Sequence, residues 1–174
     1  MKTLFLILTL LLLGSASSLA KATLVAEEDS TYLITIDGII NEALKIISGD
    51  KGVARDLDKL RTLFVPTARF TSIFYYEDGR KRIVIFSLDD FIKMAGTGYE
   101  KYGFLEYELG KVIDEYNGIA QVFQSYYAKQ GDYEEKGINS YQLVFMDDRW
   151  WITSIIWANN GNGAEIPAKF MEKH

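Results

Sequence analysis

Between residues 104 and 157, runs rich in Val, Ile, Phe, Tyr and Trp are separated only by short turn signals. β-branched and aromatic side chains suit a pleated, half-buried surface, so the pattern predicts strands over 104–113, 119–128, 138–146 and 149–157. Asn117-Gly118 is a dipeptide that closes tight hairpins, because both residues tolerate positive φ, and Asp147-Asp148 offers a second turn. The polar stretch 130–136 reads as a loop between the second and third of these strands. A chain that devotes this region to consecutive strands with short connections has to build an antiparallel meander.

The region before it has a different period. Leu33, Ile36, Ile40, Leu44 and Ile47 recur at spacings of three and four, which predicts an amphipathic helix over 29–48 that Gly49 stops. Val53, Leu57, Leu60 and Leu63 or Phe64 predict a shorter helix closed by Pro66, since proline disfavours helix in the residue before it. Residues 68–76 and 82–87 read as a hairpin around Glu77-Asp78-Gly79-Arg80. Ser87 is placed to cap a third helix over 88–95, with Asp89 and Asp90 in its first turn and Gly96 and Gly98 ending it. Helices first and a meander afterwards argue for a single α+β domain, with helices covering one face of a curved sheet.

Residues 1–20 are read apart from that domain. Lys2 precedes the ten-residue apolar run 4–13, and Gly14 to Ala20 supplies the small residues that a signal peptidase accepts. A cleavable secretory signal over 1–20 follows, cut after Ala20 or after Ala22. The run is too short to span a bilayer, which takes about 20 apolar residues, and no Cys follows it to carry a lipid. The expected location is therefore periplasmic or secreted, with no membrane anchor after cleavage. The formal net charge of −5 denies the chain the basic field that nucleic-acid binding needs. There is no Cys and the sole His is His174, so thiol chemistry, Cys/His metal sites and imidazole catalysis in a core are excluded. Neither a metal nor another cofactor is expected.

Three stretches in order make the chain recognisable: residues 60–70 (LRTLFVPTARF), residues 117–123 (NGIAQVF), and residues 137–143 (GINSYQL) leading to Arg149-Trp150-Trp151-Ile152. Over about 29–170 the chain resembles the nuclear transport factor 2-like superfamily, the cone fold of SnoaL-like and ketosteroid isomerase-like domains, and in particular its small bacterial members. The resemblance implies a strongly bent sheet around a long first helix, a pocket at the open end, and pairing of two domains through their sheets. It does not imply one activity, because the superfamily spans isomerases, dehydratases, cyclases, transport adaptors and binding modules.

Glu106 and Glu108 alternate on one predicted strand and so share a face, where they can form an acid and base pair; the same alternation also marks the wet side of an antiparallel strand. A two-residue turn at Asn117-Gly118 puts Tyr107, Leu109, Lys111, Ile113, Val122, Gln124 and Tyr126 on one face. Glu106, Glu108, Val112, Phe123, Ser125 and Tyr127 then fall on the other, and a single bulge would swap the faces beyond it. Regular alternation in the last strand sets Trp150 opposite Trp151 and Trp157. By the resemblance, the Trp150 side faces the cone interior and the Trp151 and Trp157 side faces a partner or the tail. Tyr32, Tyr75, Tyr126 and Trp150 are the expected pocket-lining residues; Phe123, Tyr127 and Trp151 are the expected face of a homodimer. The expected function is binding of a small apolar or aromatic molecule. The alternatives are cofactor-free isomerase or lyase chemistry by a pocket carboxylate or Tyr, and a dimeric interaction protein with a vestigial pocket.

Overall fold

A computed structural model describes residues 31–172. The expected secretory signal over 1–20 and the predicted start of the first helix at residue 29 lie outside the described residues. A short 3-10 turn, Thr31–Leu33, leads into helix α1, Ile36–Ile47. The Thr35 hydroxyl accepts from the Gly38 amide, filling one of the bonds that a helix start leaves open. Ile36, Ile40 and Leu44 of the predicted stripe are buried and are joined by Ile39, Ala43 and Ile46, while Ile47 is half-buried. At the other end the Arg55 guanidinium donates to the carbonyls of Ile47, Gly49, Asp50 and Val53, a cation set against the negative end of the helix.

Helix α2, Leu57–Arg61, is shorter than the sequence suggests, because strand β1, Phe64–Tyr75, already begins where the helix was expected to finish. Pro66 therefore sits inside a strand rather than after a helix. It is tolerated because β1 breaks its pairing register with the neighbouring strand between Phe64 and Arg69, so no ladder bond asks for the missing N–H. Strand β2, Lys81–Ser87, completes the expected hairpin.

Helix α3, Leu88–Tyr102, begins at a full capping box between Ser87 and Asp90 but runs well past residue 95. Gly96 lies within it. A side chain there would come to 2.7 Å from Leu57 Cδ1, so this glycine makes room for packing on α2 rather than ending the helix.

Strands β3 (Leu105–Tyr116), β4 (Ile119–Gln130), β5 (Tyr133–Met146) and β6 (Arg149–Asn159) form the expected meander. Their order in the six-stranded sheet is β2-β1-β6-β5-β4-β3, antiparallel throughout except for the parallel pair β1 and β6. The turns at Asn117-Gly118 and Asp147-Asp148 have positive φ at both central residues, the conformation matched to strand twist. The expected loop 130–136 is instead mostly strand: Gln130 pairs directly with Tyr133 across Gly131-Asp132.

Two irregularities decide which side chains face inward. Between β3 and β4 the register slips at Leu109, and between β5 and β6 it slips at Thr153. Regular alternation resumes after each, with the faces exchanged. The concave face carries Glu106, Glu108, Lys111 and Ile113 from β3, and Val122, Gln124, Tyr126 and Ala128 from β4. From β5 and β6 it carries Glu135, Asn139, Tyr141, Leu143, Trp150, Ile152, Ile155 and Trp157. Two expectations are thereby corrected. Glu106 and Glu108 lie on the Tyr126 face rather than opposite it, and Trp157 lies on the Trp150 face rather than with Trp151.

One end of this concave face is closed by α1: Ile39, Ile40, Leu44, Leu63 and Phe64 pack with Val122, Leu143, Trp150 and Ile152 in a continuous core. The other end is open beneath α3. The 3-10 turn Ala168–Phe170 lies on the convex face, where Phe170 stacks on Phe123 and its carbonyl accepts from the Ser125 hydroxyl.

Candidate functional site

The open end holds a cavity of about 820 Å³. Its walls are aromatic: Phe70 stacks on Phe91, whose ring meets Trp157 edge-on, and Trp157 in turn lies parallel to Phe86. Tyr99 and Phe104, stacked at 4.1 Å, close another side. Opposite this apolar wall the sheet presents polar groups in a cross-strand row, Glu106 on β3, Ala128 on β4 and Glu135 on β5. The small side chain of Ala128 leaves the two carboxylates facing the same space. Gly137 serves the neighbouring row: a side chain there would lie 2.6 Å from the Tyr126 hydroxyl, so its absence lets the Tyr126 ring lie flat on β5.

The two carboxylates have unequal surroundings. Glu135 accepts from the Tyr126 hydroxyl at 2.9 Å, the Tyr133 hydroxyl at 2.9 Å and the Asn159 amide at 3.3 Å. Glu106 accepts one side-chain bond, 2.7 Å from Asn139 to Oε1, and its Oε2 has no partner among the described residues. Burial pushes the Glu106 carboxyl up to about 7; the Asn139 donor opposes that shift and the negative charge of Glu135 adds to it. Burial likewise drives the Tyr126, Tyr99 and Tyr141 hydroxyls far above the usual tyrosine range, so they are neutral donors.

Behind Glu106 runs a chain of hydrogen bonds that fixes the direction of its partner. Lys111, buried, donates to Glu108 at 2.8 Å and pairs with Asp37 of α1 at 2.9 Å. Gln124 donates to Glu108 at 2.8 Å, which turns the Gln124 carbonyl toward Asn139 and Tyr141, both of which donate to it at 3.3 Å. Asn139 therefore has to present its NH₂ group, and the same group reaches Glu106. A carboxylate that can only accept sets the orientation of two amides in succession.

Of the expected lining residues, Tyr126 lines the cavity. Trp150 faces the concave side as expected but is packed edge-on against Phe145 at the closed end, in the core rather than in the cavity wall. Tyr75 alternates with the lining residues Phe74 and Tyr76 and takes the other side of β1, and Tyr32 packs beside Lys59 near α1. The acid pair is divided: Glu106 lines the cavity, whereas Glu108 is bound into the Lys111 network behind it. Phe123, Tyr127 and Trp151 all lie on the convex side, but Phe123 is covered by Phe170, Tyr127 packs on Tyr107, and Arg149 lies over Trp151 at 3.9 Å. Sequence reasoning missed Glu135 and Asn139. Glu135 fell in the stretch read as a loop, although Tyr133, Glu135 and Gly137 already alternate there. Among the described residues no group of three or more His, Asp or Glu side chains is arranged to hold a metal, and no helix is long and apolar enough to cross a membrane.

A bent six-stranded mixed sheet closed by a helix at one end and open at the other can be compared with solved structures. An NTF-2-like protein of unknown function from Pseudomonas aeruginosa superposes with a TM-score of 0.54 at 12% identity, over 71% of this chain and 94% of that one. The fold is nuclear transport factor 2-like. A candidate scytalone dehydratase from Novosphingobium aromaticivorans shares it, with a TM-score of 0.51 at 14% identity over 80% of this chain and 87% of that one. A cystatin-like protein of unknown function from Nostoc punctiforme matches at 0.52 and 7% identity, over 70% and 85% of the two chains. No family model matches the sequence, and no curated protein matches it. At 7–14% identity the likeness is one of fold.

Proposed function

We propose that the protein binds a small, largely apolar molecule in the open end of the cone. The observation that carries this reading is one cavity of about 820 Å³ that combines aromatic walls with a few convergent polar groups, the usual composition of small-molecule sites. Titration with Nile red tests it: saturable one-site enhancement of dye emission is expected, and Ala128→Trp, which sets an indole into the cavity between the two carboxylates, should weaken it. Unsaturable or absent enhancement overturns the reading. Export through the leader and pairing as a homodimer belong to the same proposal. Sedimentation of the chain beginning at Lys21 checks the pairing, with a dimer expected and a monomer at all concentrations against it.

Glu106 supports a second reading, acid–base chemistry on the bound molecule. A cavity carboxyl that titrates at about 7 can both accept and return a proton near neutrality. Solvent deuterium exchange into a simple ketone such as 2-tetralone should be accelerated by the protein and not by Glu106→Gln; equal rates with and without protein would sink this reading.

A further inference from the structure

The charge pattern of the cavity selects among small molecules. Glu106 and Glu135 face one space across Ala128, and the basic side chains on the lining are Arg82 and Lys129. Arg82 is exposed, and Lys129 is exposed and paired with Glu134 at 2.8 Å. Neither bonds to Glu106 or Glu135. The groups facing Glu106 from the surrounding elements are Tyr99 of α3, Tyr126 of β4, and Tyr141 and Glu135 of β5, with Glu108 on its own strand held by Lys111. Within reach of Glu106, then, the protein supplies neutral hydroxyls and amides and a second negative charge.

A purely apolar occupant would leave Glu106 Oε2 out of water with nothing to accept from, a costly arrangement for a carboxylate. An anionic occupant would meet two carboxylates. A cation relieves their repulsion and is also attracted to ring faces, which carry negative quadrupoles. A second, independent polar group points to an occupant as well: the Ser72 hydroxyl, 3% exposed and on the lining, has no hydrogen-bond partner among the described residues.

Resting on the pocket reading above, we propose that the cavity takes a hydrophobic amine, its ammonium donating to Glu106 Oε2 beside Glu135 and its apolar body against Phe70, Phe86, Phe91 and Trp157. Binding draws Glu106 into its ionised form, so the amine displaces the proton that the empty site holds near neutrality. Affinity for the amine accordingly rises as pH rises through the range in which Glu106 ionises.

Three probes with one ring system decide it: 1-naphthylmethylamine, 1-naphthalenemethanol and 1-naphthoate, each titrated calorimetrically at pH 7.5. The amine is expected to bind at least about tenfold tighter than the alcohol, and naphthoate more weakly than either, since one charge-assisted hydrogen bond in a desolvated site is worth that much. Glu106→Gln should bring the amine close to the level of the alcohol, and should weaken the alcohol far less than the amine. On the unmodified protein the amine should gain about thirtyfold between pH 5.5 and 8, because only the ionised fraction of Glu106 is competent, while the alcohol changes far less. Alcohol or naphthoate binding as well as the amine overturns the cation inference and leaves the pocket reading standing. Binding of none of the three overturns both. If Glu106→Gln fails to fold, the pH profile decides alone: a flat profile for the amine overturns the proposal.

Discussion

The concave face of one sheet is used in two ways. At the α1 end, Val122, Leu143, Trp150 and Ile152 meet a helix stripe of Ile39, Ile40 and Leu44, and every one of them is buried. At the α3 end, Glu106, Glu135, Tyr126 and Trp157 meet Phe91, Met94 and Tyr99 across open space. The strands are the same; only the place along each differs, Val122 against Tyr126 on β4, Ile152 against Trp157 on β6 and Leu143 against Glu135 on β5. Between the two ends stands the Lys111, Glu108, Gln124 and Asn139 network, which touches the packed core on one side and Glu106 on the other. The comparison teaches that the sheet's curvature supplies a hollow at both ends, and that the helix laid over it decides whether apolar burial or ligand space results.

The largest test of that division is truncation at matched positions. Trp150→Ala, in the packed end, should cost about 3–5 kcal/mol in urea denaturation. Trp157→Ala, in the cavity wall, should cost less than half as much, because its removal enlarges a space that already exists. Equal costs would mean that the open end is core by another name.

Next comes the carboxylate. Glu106 is raised from 4.5 to about 7, so the folded protein holds its proton more tightly than the unfolded chain does. The contribution of this group is therefore fully favourable below pH 4.5 and declines as pH rises toward 7. Glu106→Gln should be the more stable protein at pH 8 by about 2 kcal/mol, after discounting for the partial exposure of the group, and should lose this pH dependence. A variant less stable than the parent at pH 8 would place Glu106 in a favourable ion pair instead.

Gln124→Leu probes the boundary between the ends. It leaves Glu108, Asn139 and Tyr141 each short of one bond, and should cost about 1–2 kcal/mol. The smallest effect is expected at Ser72→Ala, within about 0.5 kcal/mol of the parent, since no hydrogen bond is lost among the described residues. A clear loss there would reveal a partner that the empty protein already holds.

The order of elements and the closed end were legible in the sequence, and the open end was not, for a physical reason. The stripe of α1 and the apolar alternation of β4 repeat a simple period, so their burial could be read directly. The cavity depends on departures from period. Leu109 and Thr153 are ordinary residues whose bulges leave no mark in composition, yet they turn Glu106, Glu108 and Trp157 inward. Glu135 sits in a run of charges that resembles a solvated loop, and Gly96 has the sequence signature of a helix end although its place is a close approach of α3 to Leu57. Tyr126 was found because it lies on β4, which keeps its alternation across its whole length.

The bulge at Leu109 has a bearing on how such a cavity arises in descent. No substitution is needed to furnish it with Glu106; a single inserted codon upstream of Lys111 exchanges the whole start of β3 between the wet and the enclosed side. A deletion at the same place would send the carboxyl back to solvent with every side chain intact. Relatives aligned column by column without that gap would match this glutamate to residues that never see the cavity, and chemistry shared between them would be invisible in the alignment.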